Sequence, residues 1–516
     1  MRREGKIQEG ANALNTVLCT RSFRSCLRRR KACLCVCWFG WLAVFLPRES
    51  KGIPREFQGN PREAEVDVFG SDSAQLIFDP KPSPSLESQV STSVHIFLAG
   101  DSCPEEVLRA LSRNTALGNV HLLLSSAYGA QQCKLLSLPP TTTLQVLANC
   151  ETWDARCHQN TLPKYFTDTK DCPGVFFCIE CSAMQVHLAR TYCGLQVIDM
   201  KLQDFKQMLW IQTLHLQELI HWKVTNFALT VVTTCREDKL RALLSDIQEA
   251  TYFGDSVDLH IAVEAGATSS CLQYVRHFEW SHGEKRISQR IQPSAGPHVA
   301  VPEAIVIGTE WAQVLLEDDV RVSPQFYAWL KFATLQFRFC KLCAKERIFS
   351  VSLYTPRVVE TGPHSRSKLD LGDLHVRTGD IFLYEVPCSW GAAFFATPWL
   401  SAFNYFEKRL QGQPVADIAD SRVNGWRGSW KKWLIELGYY KHWATVYPYF
   451  KNETSFSTNT LGVGEHIKEI TEEMIANYTV PLFQDVSWYE SLQHKRIFEN
   501  SNLHRINLRG SPVGLE

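Results

Sequence analysis

What the sequence lacks narrows it first. It has no net charge, its 54 Lys and Arg being balanced by 54 Asp and Glu, so the charge balance does not speak for nucleic acid. Neither a G-x-G-x-x-G fingerprint nor a G-x-x-x-x-G-K-S/T phosphate loop is present, so any phosphate must be gripped another way. Two C-x-x-C pairs, Cys178/Cys181 and Cys340/Cys343, lie far apart without the histidine spacing of a zinc site, and disulfides are their expected use. A full-length membrane span is missing too. The uncharged run 32–46 is shorter than the roughly 20 apolar residues that usually cross a bilayer, but long enough for a signal core.

That run has a polarity. Arg21, Arg24, Arg28, Arg29, Arg30 and Lys31 precede it, Pro47-Arg48-Glu49 closes it, and no small-x-small cleavage site follows. An uncleaved signal anchor is expected, against a cleaved signal or a mitochondrial presequence. The basic flank stays cytosolic and the body is lumenal. The expected organisation is a cytosolic tail over 1–31, an anchor over 32–47 and a Pro/Ser-rich stem over 48–92. This describes a single-pass type II protein of the Golgi or endoplasmic reticulum, whose thin membranes suit a short span. Cys33, Cys35 and Cys37 could be acylated there. The sequons Asn452-Glu-Thr and Asn477-Tyr-Thr would be glycosylated in a lumenal body.

With 516 residues, two or three domains are expected. Strand-like runs at 94–98, 120–125, 144–148, 175–179 and 195–198, with a helix over 104–113, make a small α/β domain in 93–222. An amphipathic linking helix over 202–222 joins it to a second block, 223–470, and 471–516 reads as a C-terminal extension. The second block opens with a β-branched strand over 227–234. A helix follows over 237–250, with Leu240, Leu243, Leu244 and Ile247 on one face, and then a second strand over 257–263. This is a βαβ unit with the usual right-handed crossover.

The chain is organised around 314–327, where an apolar strand ends in Glu317, Asp318 and Asp319 before a Ser-Pro turn and an aromatic helix over 325–337. Three carboxylates at a buried strand end repel one another, and a divalent cation would relieve the cost. Ligands of open α/β sheets also lie beyond the carboxyl ends of the strands. The bland alternative is an acidic turn.

These residues carry a resemblance. The unit from Phe227 to Glu264, followed by Leu316-Glu-Asp-Asp-Val320 and Val-Ser-Pro-Gln-Phe, resembles the GT-A-fold glycosyltransferases. Trp280-Ser-His-Gly-Glu-Lys285, Ser352-Leu-Tyr-Thr-Pro356, Cys388-Ser-Trp-Gly-Ala392, Ser429-Trp-Lys-Lys432 and Ser455-Phe-Ser-Thr-Asn459 are similar to family 2-like nucleotide-diphospho-sugar transferases of plants and fungi. The resemblance implies an α/β fold of GT-A type: a Rossmann-like mixed sheet flanked by helices, preceded here by the smaller α/β domain and the membrane anchor. It implies Mn²⁺ (or Mg²⁺) held by Asp319, with His466 as a further ligand. Thr234, Arg236, Glu264, Lys285, Glu317 and Asp318 would hold a nucleotide-sugar donor, with Arg286 beside Lys285. Trp390 would stack on a sugar of the glycan or glycoconjugate acceptor. The Glu-Asp pair that opens the acceptor-side helix in family 2-like enzymes is replaced by Ser-Trp-Lys-Lys. Asp420 is then the expected general base, with Asp417 nearby and Glu436 behind it.

A metal-dependent glycosyltransferase of the secretory pathway is therefore the leading expectation. A catalytically inactive GT-A scaffold that binds glycans or partners is the second, and a nucleotidyltransferase the third. The enzyme assignment depends on the acidic side chains facing a cleft and not being paired off with arginines.

Overall fold

The computed structural model describes residues 93–513, except 100–102, 115–116, 118, 126–130, 132, 134–141, 147–164, 166–173, 194–196, 293–295, 306–311, 340–345, 364–365, 463–468 and 494–502. The expected tail, anchor and stem lie outside the described residues, as do Cys340, Cys343 and His466. Among the described residues no helix is long and apolar enough to cross a membrane.

The first sheet is wholly parallel. It comprises β1 (Ser93–Leu98), β2 (Asn119–Leu124), β3 (Thr142–Val146), β4 (Val175–Ile179) and β5 (Val197–Met200), in the order β3-β2-β1-β4-β5. Every residue of β1 and β4 is buried, as befits central strands covered on both faces. Helices α1 (Glu105–Arg113) and α2 (Ala183–Cys193) belong to this half. The strands expected at 144–148 and 195–198 are each displaced by about two residues, because parallel pairing with β2 and β4 sets their register.

The linking helix expected over 202–222 is not continuous. It breaks into α3 (Leu202–Lys206), a 3-10 turn (Leu209–Thr213) and α4 (Leu216–Leu219). Trp210 and Trp222 are both fully buried and stack with ring centroids 5.7 Å apart. The breaks let both indoles pack against each other and against Phe253. Burial of two large aromatics here outweighs the modest gain of a regular helix.

Among the described residues the second sheet has nine strands, and two short strand pairs lie beside it. First come β6 (Phe227–Thr233), α5 (Glu237–Glu249), β7 (Leu259–Val263), α6 (Ser269–His277), β8 (Lys285–Gln289), α7 (Pro297–Ala304) and β9 (Ala312–Glu317). After a short β10 (Val320–Val322) and α8 (Phe326–Arg338) come β11 (Ile348–Ser352), the hairpin β12 (Val358–Val359)/β13 (Ser367–Lys368), β14 (Ile381–Tyr384) and β15 (Ala392–Phe394). The chain ends through α9 (Ala396–Leu410), α10 (Trp430–Lys441), β16 (Ala444–Pro448), β17 (Ser457–Asn459), α11 (Glu472–Tyr478), α12 (Ser487–Glu490) and β18 (Arg505–Ile506).

The sheet order is β18-β14-β16-β11-β15-β9-β6-β7-β8. Strands β9, β6, β7 and β8 are parallel, and β15 runs antiparallel between β9 and β11. The result is a mixed, Rossmann-like α/β sheet flanked by helices. The segment 471–516 is no appendage: β18 extends the sheet beside β14, and Trp488 and Tyr489 are buried in the core.

Helix α8 is the keel between the halves. Its residues from Phe326 to Phe337 are all buried, the mark of a helix enclosed on every side. Lys331 lies inside it, its ammonium donating to the carbonyls of Trp222 (2.7 Å) and Thr225 (2.5 Å) and to Asp255 (2.6 Å). Burial pulls this lysine down to about 8, against the pull of Asp255. One continuous set of buried residues runs from Val94 to Leu492, so the two sheets share a core.

Of the two expected C-x-x-C disulfides, Cys178–Cys181 is present and Cys340/Cys343 lies outside the described residues; Cys103–Cys133 and Cys235–Cys271 are bonded as well. Cys388 is a buried free thiol.

Candidate functional site

Parallel pairing aligns β6 with β9 so that Val232 faces Glu317. Both strands therefore end at one edge, and the acidic triplet comes beside Thr233, Thr234 and Arg236. The chain turns sharply after β6, with Cys235 in the left-handed region at φ 68°. That conformation is costly for a residue with a Cβ. Here the Cys235–Cys271 disulfide and a bond from Cys235 N–H to Thr233 Oγ1 (2.8 Å) hold it. Arg236 follows at once and stands before α5.

Asp318 is saturated. Its Oδ2 accepts from Thr233 Oγ1 (2.6 Å), Thr234 N–H (3.2 Å) and Arg236 N–H (3.4 Å). Its Oδ1 accepts from Arg236 Nε (2.8 Å) and, at short range, from Nη2. The same guanidinium reaches Asp319 Oδ2 through Nη1 at 3.1 Å. Asp318 is almost wholly inaccessible, while Asp319 and Glu317 are half-buried. Burial and the charge of Asp319 push the Glu317 carboxyl up to about 7. Burial also raises Asp319, opposed by Arg236. Trp430 Nε1 lies 3.4 Å from Glu317 Oε1.

A second segment covers this cluster. β10 pairs antiparallel with β17, Val320 opposite Asn459, which carries 460–462 across the strand end. Thr460 donates its N–H and hydroxyl to the Asp319 carbonyl, both at 2.8 Å. Lys239 Nζ is anchored on Thr460 O (2.8 Å) and Leu461 O (3.0 Å). Gly462 lies flat on the guanidinium: a Cβ there would fall 1.7 Å from Arg236 Nη1.

The triplet faces a cavity of about 620 Å³. Its acidic lining is Glu264, Glu317, Asp318, Asp319 and Glu360; its basic lining is Arg236, Arg366, Arg422, Arg427 and Lys431. Trp390 lines it too, edge-to-face with Tyr354 (4.8 Å) and Tyr478 (5.2 Å). Glu360 and Arg366 come from the loop of the β12/β13 hairpin. Lys431, in the first turn of α10, makes a short ion pair with Glu360. Arg422 lies 6.0 Å from the ring of Trp426, and among the described residues neither it nor Arg427 has a carboxylate partner.

Of the residues expected from sequence, Thr234, Arg236, Glu264, Glu317, Asp318, Asp319 and Trp390 share this cavity. Lys285, Asp420 and Glu436 do not line it. Lys285 Nζ donates to the carbonyls of Val275 (3.1 Å) and Arg276 (2.9 Å), and at short range to Phe278, capping the end of α6. Asp420 is turned to solvent, its side chain 80% exposed and 3.8 Å from Arg509. Glu436 is buried among Tyr405, Arg409 and Lys432, where it joins α9 to α10. His466 is outside the described residues.

The expected metal ligand Asp319 is paired with Arg236. Asp318 has no lone pair left, Asp319 is committed on one oxygen, and a guanidinium lies between them. Among the described residues no group of three or more His, Cys, Asp or Glu could hold a metal ion. Sequence reasoning missed Glu360 and its partner Lys431, which lie 71 residues apart. The Ser-Trp-Lys-Lys motif was the one available signal, since a lysine opening a helix at a ligand site invites a search for its carboxylate.

No family model matches the chain, and no curated protein matches it. Among solved structures it is similar to S. aureus TarS, at 13% identity and a TM-score of 0.27, over 44% of this chain and 60% of that one. It is also similar to an active-site mutant of LgtC, at 11% identity and a TM-score of 0.23, over 41% of this chain and 69% of that one. The chain thus spans under two thirds of the TarS structure's length. Both scores are too low to carry an activity across.

Proposed function

We propose that the protein is a glycosyltransferase that moves a sugar from a nucleotide-sugar donor to a glycan or glycoconjugate acceptor. The observation that carries this reading is the cavity at the carboxyl ends of β6 and β9, where carboxylates, unpaired arginines and an indole converge. Thr234 and Glu264, at the ends of β6 and β7, suit the nucleoside. Trp390 offers an aromatic edge and face to a sugar. Arg422, Arg427 and Lys431 are placed to take up the charge of the departing diphosphate.

Glu360 is the proposed general base. It stands by the first turn of α10, where family 2-like enzymes place their carboxylate, but arrives from the β12/β13 hairpin. In the step, the acceptor oxygen bonds to the anomeric carbon as the bond to the diphosphate breaks. The hydroxyl proton passes to the Glu360 carboxylate, and the nucleoside diphosphate leaves with the bonding pair. The step as proposed uses no metal.

Three disulfides among the described residues and the exposure of Asn452 and Asn477 support a lumenal body behind a type II anchor in the Golgi or endoplasmic reticulum. A second reading, an inactive sugar-binding scaffold, is favoured by one observation: the carboxylates at the centre of the site are paired off with Arg236. One of the two conditions set for the enzyme assignment from sequence is thus not met, and the transferase reading rests on the cavity alone.

A donor screen on the full chain, scored by nucleoside diphosphate release with a mixture of glycan acceptors, separates them. Acceptor-dependent release from one donor supports the transferase. Saturable nucleotide-sugar binding without release from any donor supports the scaffold.

A further inference from the structure

We propose that Arg236 is the resident cation of this cavity: its guanidinium takes the place among Glu317, Asp318 and Asp319 that a divalent ion would take, so that a phosphate-bearing ligand binds without metal. The nucleotide half of this inference rests on the glycosyl-transfer reading; the metal half does not.

The first support is valence. Two of the three groups that Asp318 Oδ2 accepts from are backbone N–H groups and the third is a buried threonine hydroxyl. None of these can swing aside as a long surface side chain would. Oδ1 is taken by two nitrogens of one guanidinium, Nε and Nη2, which converge on that single oxygen and occupy both of its lone pairs. A metal entering here would have to break the ion pairs of Arg236 with both aspartates and displace its guanidinium from between them.

The second support is that Arg236 is held from three sides. Its backbone follows the disulfide-anchored turn at Cys235. Its guanidinium is sandwiched between the carboxylates and the Cα of Gly462, where no side chain fits. The strip over it is fixed in turn by the β10–β17 pairing and by the Lys239 ammonium. An arginine drawn in merely by unpaired carboxylates needs no such housing.

The third support is that the charge needed for phosphates is found elsewhere. Arg236 and Lys239 together offset most of the triplet, leaving its end of the cavity near neutral. Arg422 and Arg427, with no carboxylate partner among the described residues, and Lys431 line the same cavity. Phosphate oxygens would lie against these groups and the two guanidinium N–H bonds that the aspartates leave unused.

The test starts with Mn²⁺ alone, titrated into the full chain and read by the electron paramagnetic resonance of the free ion. Wild type is expected to leave the free-ion signal undiminished, and Arg236→Met to remove one equivalent. If Arg236→Met fails to fold, Arg236→Lys, which keeps the charge but loses the fork, is expected to do the same more weakly. Binding of UDP, GDP and CDP is then measured calorimetrically in Mn²⁺ and in EDTA, with equal affinity expected for whichever binds. Stoichiometric Mn²⁺ binding by wild type, its loss in Asp319→Asn, or chelator-sensitive nucleotide binding would overturn the proposal. So would folded Arg236 variants that gain no Mn²⁺. If no nucleotide binds under either condition, the nucleotide-sugar reading falls, and the Mn²⁺ titration still decides the role of Arg236.

Discussion

The two sheets obey one construction rule and end differently. In the first, β1, β2, β4 and β5 run out into Ala99, Ser125, Glu180 and Lys201, and a short-range disulfide, Cys178–Cys181, ties down the end of β4. It also carries a polar cluster within the strands: His95 on β1 is buried against Tyr165 (2.9 Å), Ser93 (3.1 Å) and the ring of His121. In the second, β6, β7 and β9 end in Thr234–Arg236, Glu264 and Glu317–Asp319, and a later segment folds back over them. Parallel strands always deliver their ends to one edge. Whether that edge becomes a site depends on the residues just past it and on what returns to cover it.

The strongest way to break the comparison is to part the two sheets. Lys331→Met keeps the volume of the α8 side chain but leaves Asp255 with only Lys223 at 3.3 Å as a cationic partner, and it removes the tie to Trp222 and Thr225. A loss of about 3–5 kcal/mol is expected, measured as a fall in the chemical denaturation midpoint.

Next comes the chemistry confined to the second sheet. Glu360→Gln should slow transfer by roughly 10²–10⁴-fold while leaving donor affinity in place. Single-turnover rates against calorimetric donor binding give the split, and an unimpaired rate would exclude Glu360 as the base.

A smaller effect tests the cover over the second sheet's edge. Gly462→Ala forces a methyl against Arg236 and should cost about 1–3 kcal/mol, read as a drop in melting temperature. The loss should shrink in the double variant with Arg236→Ala, where the clash is gone.

The first sheet has its own signature, in acid. Burial, aided by the neighbouring His121, lowers His95 to about 3, and burial lowers His221, stacked on Phe339, to about 4. Both stay neutral in the fold but protonate in the unfolded chain near 6.5. The unfolded state thus binds more protons below that value, and stability present above pH 6.5 is lost as pH falls towards the folded values. His95 contributes about 1.4 kcal/mol of loss per pH unit in that window. Melting scans from pH 7 to 5 should show this slope, and His221→Phe should flatten it in part.

Much of the second sheet's start was legible in the sequence. The change from period 2 in β6 to period 3.6 in α5 and back to β7 is a local property of side-chain order, and so is the break from the apolar β9 to three carboxylates. The helix after the Ser-Pro turn is equally local. The linking helix was misread because burial of Trp210 and Trp222 against Phe253 is not encoded in the spacing of 202–222. Asp420 was misjudged because a short chain distance from α10 says nothing about direction, and the left-handed turn at that residue (φ 52°) points it outward.

By itself the sequence determined where β6, β7 and β9 end and which charges gather there, because both follow from neighbours in the chain. Only the tertiary structure decided what those charges meet. Arg236 and Asp318 are 82 residues apart, and Glu360 and Lys431 are 71. Each pair forms because sheet pairing and a folded-back segment bring two distant turns within hydrogen-bond reach, where a buried carboxylate must find a cation.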